Sequence, residues 1–172
     1  MRTFPHTMTD RLWAAWRMKY IQEELKTAKE CLFCRAIGSD SDKELLVLHR
    51  GKTCVIMLNA YPYNPGHLMV ACNRHLSSMG ELSPEERTEI MELAALSEKI
   101  LGKVYHPQGL NVGLNLGQCA GAGVPGHLHL HIVPRWVGDT NFMPVLGETR
   151  VLPEELDATY EKLHEALKET KA

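Results

Sequence analysis

The sequence predicts an α+β fold in which about five strands form one antiparallel sheet with helices mainly on one face. Several short segments between turn residues have the apolar runs or the alternation typical of strands. The first three are joined by connections too short for parallel crossovers, so they favour antiparallel pairing. A long segment with helical periodicity separates the third strand from the fourth, and another lies near the end of the sequence.

The first predicted element is a helix over about residues 9–27, where two tryptophans and other apolar residues recur at helical spacing. Residues 31–37 are expected to form a short link. The strands are predicted at residues 45–48, 54–58, 67–71, 109–116 and 127–133, with loops over 59–66 and 117–126.

The central helix has the clearest start signal. Ser83 is the expected N-cap, Pro84 the first helical residue, and Glu86 completes a capping box. Apolar residues then mark one face to about residue 105. A last helix is expected from Pro153, with one apolar face formed by Leu156, Tyr160, Leu163 and Leu167.

The composition limits the classes of function. With 172 residues, 44% hydrophobic and 23% charged, the chain is long enough for a globular domain with a real core. Its net charge of −2 argues against nucleic-acid binding through a broad basic surface. We see no membrane span and no apolar signal-peptide core, and the 5 cysteines do not suit a closed disulfide framework. A cytoplasmic location is therefore expected.

The most informative segment is the alternating row at residues 127–133. Because successive side chains of a strand point to opposite faces, His127, His129 and His131 share one face and the apolar residues share the other. Burial accounts for the apolar row but not for three imidazoles. A solvent-exposed histidine strand or a metal trap is the alternative that carries no catalysis.

Distance favours an extended substrate over a single metal ion. The outer two histidines of a regular strand lie roughly 13 Å apart, whereas zinc ligands lie about 2.0–2.3 Å from their metal. All three rings could therefore share one zinc only on a strongly bent strand. Neutral imidazole is nucleophilic and titrates near neutral pH, and a phosphate chain offers both anionic oxygens and a phosphorus to attack.

These motifs resemble the histidine triad (HIT) family, whose signature alternates three histidines with apolar residues. Residues 127–133 match that signature in full, and residues 59–70 match the family's loop and Pro-Gly-His turn into a strand. The resemblance is closest to the branch that includes diadenosine tetraphosphate phosphorylases, also called ATP adenylyltransferases. It implies a HIT-like fold in a single domain, residues 1–172, with a helical extension (1–30), a core (31–145) and a helical tail (146–172).

The resemblance also implies the chemistry. The middle histidine of the family attacks the α-phosphorus of a nucleotide, which assigns His129 as the nucleophile of a covalent nucleotidyl-histidine intermediate. His131 would hold phosphate oxygens and share in proton handling, while His127 and His67 would complete the catalytic set. The expected substrates are adenine nucleotides, above all dinucleoside polyphosphates.

The resemblance further assigns residues that contact the substrate. Asn59 matches a position that holds the ribose hydroxyls, and Asn115 lies near an amide residue that contacts the phosphate chain. Gly117, Gly121 and Gly123 would let backbone N–H groups approach phosphate oxygens. Hydrolase-type members commonly carry Gln or Ser where this chain has Gly123, so the acceptor, water or inorganic phosphate, is left open.

A second motif, Cys31-Leu32-Phe33-Cys34, is a CxxC of the metal or redox type. The βαβ unit expected around a thioredoxin-like redox pair is absent from the predicted order of elements. The family resemblance adds His75 and His127, which gives a closed Cys₂His₂ structural zinc site. Two thiols without a metal are the alternative.

The alternatives for function are a nucleoside phosphoramidate hydrolase, a nucleotide-binding sensor or scaffold with incidental turnover, and a metalloenzyme that uses the histidine row as ligands. The expected chemistry requires no metal of its own, although Mg²⁺ could accompany the substrate's phosphates. The expected partners are a purine nucleotide or a dinucleoside polyphosphate, with no nucleic acid and no membrane. Because a lone sheet leaves edge strands to protect, a homodimer is expected.

Overall fold

A computed structural model describes residues 30–139 and 154–171, and five strands of this part form one sheet. The strands are β1 (Val47–Arg50), β2 (Cys54–Leu58), β3 (Leu68–Cys72), β4 (Gly109–Leu114) and β5 (His129–Arg135). The helices are α1 (Leu32–Ile37), α2 (Pro84–Tyr105) and α3 (Leu156–Lys171). The sheet order is β1-β2-β3-β5-β4 and each neighbouring pair is antiparallel, which confirms the predicted fold class.

The predicted start of the central helix is confirmed in detail. Ser83 Oγ accepts the Glu86 N–H at 3.2 Å, and Glu86 Oε2 accepts the Ser83 N–H at 2.8 Å. Pro84 occupies the first turn, where no N–H is needed. The helix ends at Tyr105, and the next residue, His106, adopts a left-handed conformation and donates its N–H to Gly102 O.

The structure corrects the link predicted at residues 31–37, since Leu32–Ile37 is a short helix. Phe33 and Ala36, three residues apart, are both buried against Val55, Met57, Met69 and Ala71 of the sheet. Helical geometry places residues of this spacing on one face. Tertiary burial therefore makes a helix of a segment whose length alone suggests a connection.

Several predicted strand ends are also wrong by a few residues. The first strand begins at Val47 and not Leu45, because Leu46 has a positive φ of 60° and the register shifts just after it. The third begins at Leu68, and the fourth ends at Leu114. The fifth begins at His129 and not His127, because the Leu128 N–H donates to Leu76 O outside the sheet.

Different helices pack against the two faces of the sheet. Ile56, Val70, Leu130 and Ile132 pack with the buried residues of α2 and α3, such as Leu101 and Leu163. The opposite face carries α1 and the second, smaller apolar cluster. Because side chains alternate along β5, His129 and His131 lie on the same face as α1.

Two predictions fall on parts of the chain that are not described. The helix predicted over residues 9–27 lies outside the described residues, as does the predicted start of the last helix at Pro153. The described helix α3 begins at Leu156, and Tyr160, Leu163 and Leu167 are buried as predicted. Among the described helices, none is both long enough and apolar enough to cross a membrane.

Candidate active site

His129 is held in one orientation by its own strand. Its ring is only 5% exposed, and its Nδ1 lies 2.7 Å from the carbonyl oxygen of His127. A carbonyl only accepts, so Nδ1 carries the proton and donates it. Burial lowers the pKa of His129, so the ring is neutral near pH 7. Its Nε2 therefore keeps a lone pair, which is the state that a nucleophilic imidazole needs.

His131 is linked to His67 of the loop before β3. His67 Nε2 lies 3.0 Å from His131 Nδ1, and the backbone N–H of Tyr63 donates to His67 Nδ1 at 3.1 Å. Because a backbone N–H only donates, neutral His67 carries its proton on Nε2 and donates it to His131. Neutral His131 then carries its own proton on Nε2. The chain of contacts thus makes His131 a donor beside His129, whose ring centroid lies 4.7 Å away.

Asn59 contributes to this arrangement from the end of β2. Its Oδ1 accepts the Tyr61 N–H at 2.9 Å, which orients the amide, and its Nδ2 lies 3.3 Å from His67 Nδ1. The contacts of Asn59 in this structure are thus to the loop and to His67. Its predicted contact with a ribose stays a prediction.

His127 is separated from the other two histidines of the motif. Its Nε2 donates to Cys72 O at 2.7 Å, so Nδ1 carries the lone pair. That Nδ1 lies 3.4 Å from Cys31 Sγ and 3.6 Å from Cys34 Sγ. Burial lowers the pKa of His127, which keeps the ring neutral. The ring therefore faces the cysteines, and the backbone carbonyl of His127 accepts the Nδ1–H of His129.

Four side chains form the candidate metal centre. One donor atom from each of Cys31, Cys34, His75 and His127 lies within 4.8 Å of all the others. In a tetrahedral zinc site with bonds of about 2.0–2.3 Å, donor atoms lie about 3.3–3.8 Å apart. Two sulfurs and two imidazole nitrogens are also the donors that structural zinc prefers. The residues fit zinc, and the bond from His127 Nε2 to a backbone carbonyl is the usual outer contact of a histidine ligand.

The two other thiols of the sheet lie apart from this centre. Cys54 and Cys72 are partners across β2 and β3, and their sulfur atoms lie 3.5 Å apart in the core. Cys119 is exposed in the loop after β4.

His75 is held near α2 because its neighbour Arg74 forms an ion pair of 2.6 Å with Glu86, which lowers the pKa of Glu86 to about 2.

The glycine-rich loop contains a short 3₁₀ turn, Gln118–Ala120, which the sequence did not predict. Gly117 and Gly121 flank it with φ of 79° and 87°, and the Gly121 N–H already donates to Gln118 O. Asn115 follows Leu114, whose partner across the sheet is Leu130, so it lies near the His129 end of β5. The roles predicted for these residues and for Gly123 stay predictions.

Two residues at the site were missed by sequence reasoning. The Phe33 ring lies 4.8 Å from that of His129 and 5.0 Å from that of His127, between the candidate nucleophile and the metal centre. Its position inside the CxxC motif was the available signal. The Tyr63 ring packs 4.5 Å from that of His67. Tyr63 contacts His67 Nδ1 through its backbone N–H, and a backbone contact cannot be predicted from the residue type.

Comparison with known proteins agrees with this geometry. The HIT domain profile matches residues 41–137 of the chain. The AP-4-A phosphorylase of Mycobacterium tuberculosis is 41% identical over 155 residues, which cover 87% of this chain and 80% of that protein. The asymmetrical bis(5'-nucleosyl)-tetraphosphatase of Schizosaccharomyces pombe is 32% identical over 93 residues, covering 54% of this chain and 50% of that protein.

A solved structure supports the fold. The crystal structure of a Zn-bound histidine triad family protein from Mycobacterium smegmatis superimposes with a TM-score of 0.67 at 22% identity. The match covers 83% of this chain and 96% of that one. Profile, sequence similarity and architecture agree, and the chain belongs to the HIT domain family.

Proposed function

We propose that this protein is a nucleotidyl transferase that acts on dinucleoside polyphosphates, with an adenine nucleotide carried covalently on His129. The observation that carries the proposal is the state of that ring. It is buried, neutral and anchored through Nδ1–H, so Nε2 is the nitrogen left to attack. The M. tuberculosis relative named AP-4-A phosphorylase supports the substrate class.

The first chemical step forms one bond and breaks another. His129 Nε2 attacks the α-phosphorus, a P–N bond forms, and the P–O bond to the leaving nucleotide breaks. The positive charge that develops on the ring is stabilised by the carbonyl of His127, which accepts the Nδ1–H. The Nε2–H of His131 donates to the departing oxygen, and general acid catalysis of this kind typically contributes about 10²–10⁴-fold.

The second step restores the enzyme. The acceptor oxygen attacks phosphorus, gives its proton to His131 and displaces His129, so the P–N bond breaks and both rings return to their starting states. We propose inorganic phosphate as the acceptor, as in the relative named a phosphorylase. Water, in line with the relative named a tetraphosphatase, is the alternative. Mg²⁺ would bind the phosphates of the substrate.

The decisive experiment removes the nucleophile. His129→Ala should abolish turnover of diadenosine tetraphosphate while the affinity for nucleotide stays within a few-fold of the parent. His164→Ala, a histidine on α3, is the matched control and should keep full activity. Rapid and complete turnover by His129→Ala would exclude a covalent route.

Product analysis then identifies the acceptor. With diadenosine tetraphosphate as substrate, ADP that appears only when inorganic phosphate is present indicates a phosphorylase. AMP formed without phosphate indicates a hydrolase. Preferential cleavage of an adenosine phosphoramidate would instead support the phosphoramidate hydrolase that we place second.

We also propose that Cys31, Cys34, His75 and His127 bind a structural zinc ion. The separation and chemistry of the four donors support this. When bound, zinc would tie α1 to the segment that leads into β5. Metal analysis should find one zinc per chain, lost in Cys34→Ala and kept in Cys119→Ala.

The remaining proposals concern assembly and location. We propose a single HIT domain over residues 1–172 that forms a homodimer in the cytoplasm. The edge strand β4 supports the dimer, since among the described strands its backbone pairs only with β5, and Val112 is 52% exposed. Sedimentation equilibrium should give twice the chain mass, and a monomer at all concentrations would refute the dimer.

A further inference from the structure

The loop between β2 and β3 is fastened to the strand of the triad by Asn64. Its Nδ2 lies 2.8 Å from Pro134 O on β5 and 2.8 Å from Asp139 Oδ2 in the turn that follows β5. An amide nitrogen has two hydrogens, so both are used. Asn64 therefore joins the loop to the same strand that carries His129 and His131.

Asp139 is a rigid partner for that amide. Its side chain is 10% exposed, and the Arg135 guanidinium binds both of its oxygens, at 2.6 and 2.8 Å. The Trp136 N–H donates to Oδ2 at 3.2 Å. Arg135 also donates to Asn111 Oδ1 at 2.6 Å, across from β5 on β4. The carboxylate that receives the Asn64 amide is thus fixed by paired, charge-assisted bonds.

Asn64 lies at the start of the hydrogen-bond chain that reaches His131. Its carbonyl accepts the His67 N–H at 3.2 Å, and its neighbour Tyr63 donates its N–H to His67 Nδ1. His67 Nε2 then contacts His131 Nδ1 at 3.0 Å. Any movement of Asn64 moves the Tyr63 N–H, which is the nearer of the two donors that face His67 Nδ1; the other is Asn59 Nδ2, at 3.3 Å.

We propose that Asn64 and Asp139 are positioning residues that keep His131 in its donor state. If the Tyr63 N–H no longer faced His67 Nδ1, only the longer contact from Asn59 Nδ2 would favour the present tautomer, and His67 could carry its proton on Nδ1 in part of the molecules. His67 Nε2 would then accept from His131 Nδ1, and His131 Nε2 would present a lone pair to the substrate where a proton is needed. The consequence for catalysis rests on the proposed function, whereas the consequence for the tautomer does not.

The tautomer is measured directly by nitrogen NMR on the full chain with ¹⁵N-labelled histidine. The parent should show both His67 and His131 protonated on Nε2, with signals assigned by single substitution of each ring. Asn64→Ala and the isosteric Asp139→Asn should shift both rings toward mixed tautomers. If one of the two variants does not fold, the tautomers can still be measured in the other.

A matched control separates this effect from loss of a loop anchor in general. Glu89 on α2 also fixes a loop by accepting backbone N–H groups, from Lys52 at 2.7 Å and Thr53 at 2.5 Å. Glu89→Gln should leave the tautomers of His67 and His131 unchanged. Parent-like spectra in both Asn64→Ala and Asp139→Asn would overturn the proposal.

Kinetics test the consequence with two leaving groups. The amine of an adenosine phosphoramidate leaves only after protonation, whereas the phenolate of the 4-nitrophenyl ester of AMP needs no proton. Asn64→Ala should lower kcat for the phosphoramidate about 10–100-fold, with KM changed less than about threefold. It should barely change kcat for the 4-nitrophenyl ester. Glu89→Gln should change neither by more than about twofold.

The possible failures are distinguishable. Activity that survives in His129→Ala overturns the proposed function but leaves the tautomer experiment valid. If His129→Ala is inactive and Asn64→Ala slows both substrates equally, the proposed function stands and the positioning role is refuted.

Discussion

His127 and His129 lie two residues apart in one motif, yet they leave opposite ring nitrogens unprotonated. Both are buried, and burial lowers the pKa of both. Each donates one N–H to a backbone carbonyl at 2.7 Å, His127 from Nε2 to Cys72 O and His129 from Nδ1 to His127 O. The residue type and the pKa direction are the same, so the accepting carbonyl decides which nitrogen keeps a lone pair.

The two rings then differ in what lies before that lone pair. Two thiols face Nδ1 of His127, whereas Nε2 of His129 lies on the ring edge away from its anchoring carbonyl. One region has the geometry of a metal centre and the other that of a nucleophile with a donor beside it. Substitutions and metal removal can therefore separate the two regions by experiment.

Removal of the imidazole of His129, the proposed nucleophile, should have the largest effect. We expect His129→Gly to lower the turnover of diadenosine tetraphosphate by at least about 10³-fold, the scale seen when a covalent nucleophile is lost. Free imidazole should restore part of this activity, because it can enter the space and attack phosphorus. The same imidazole should not accelerate the parent. If His129→Gly keeps more than a tenth of parental activity, His129 is not the nucleophile and the proposed difference between the two histidines is refuted.

Removal of the proposed zinc ion should mainly change stability. If free zinc exceeds its dissociation constant about 1,000-fold, a chelator removes about 4 kcal/mol of stabilisation. For a chain of this size, that lowers Tm by roughly 8–16 °C. Calorimetry of the parent and of Cys119→Ala should show this decrease in Tm when chelator is added. Cys34→Ala should have a low Tm without chelator, and chelator should not lower it further. Equal Tm values with and without chelator in all three would argue against a metal centre.

Phe33 connects the two regions, and its substitution tests how strongly they are coupled. Its ring is 1% exposed and contacts both His127 and His129. Phe33→Leu changes the shape of a buried side chain. We therefore expect the free energy of unfolding to fall by about 1 kcal/mol and kcat to fall severalfold. The control is Leu32→Ala on the same helix. An unchanged kcat in a destabilised Phe33→Leu protein would show that the metal centre and the nucleophile act independently.

How far the sequence predicts this molecule depends on the range of the interactions. The bounds of β2 and the start of α2 were predicted correctly, because strand runs and capping boxes are local signals. The four donors of the candidate metal centre also come together, as the family resemblance implied. All of these depend on residue types that the sequence displays.

What sequence reasoning missed depends on distant backbone groups. His127 leaves the strand because the Leu128 N–H bonds to Leu76, 52 residues away along the chain. The helix α1 forms because a sheet buries Phe33 and Ala36. The Tyr63 N–H and the Asn64 amide set the state of His67 through contacts in which the partner is a backbone atom or a residue far away in sequence. Every residue has a backbone, so such contacts leave no mark in composition or spacing.

The smallest expected effect concerns the choice of acceptor at the nucleophile. Gly123 is exposed, and a Cβ at this position would meet no atom of the described structure within 4 Å, so a side chain can start here without a clash at its Cβ. Hydrolase-type members of the family commonly carry Gln or Ser at this position. A side chain that orients water should favour hydrolysis, so Gly123→Gln should raise the AMP-to-ADP product ratio severalfold at fixed phosphate, with zinc content and Tm unchanged. Gly123→Ala is the control, because it adds a Cβ without a polar group. If both variants shift the ratio equally, the effect comes from the backbone of the loop, and acceptor choice is set by the triad and not by this position.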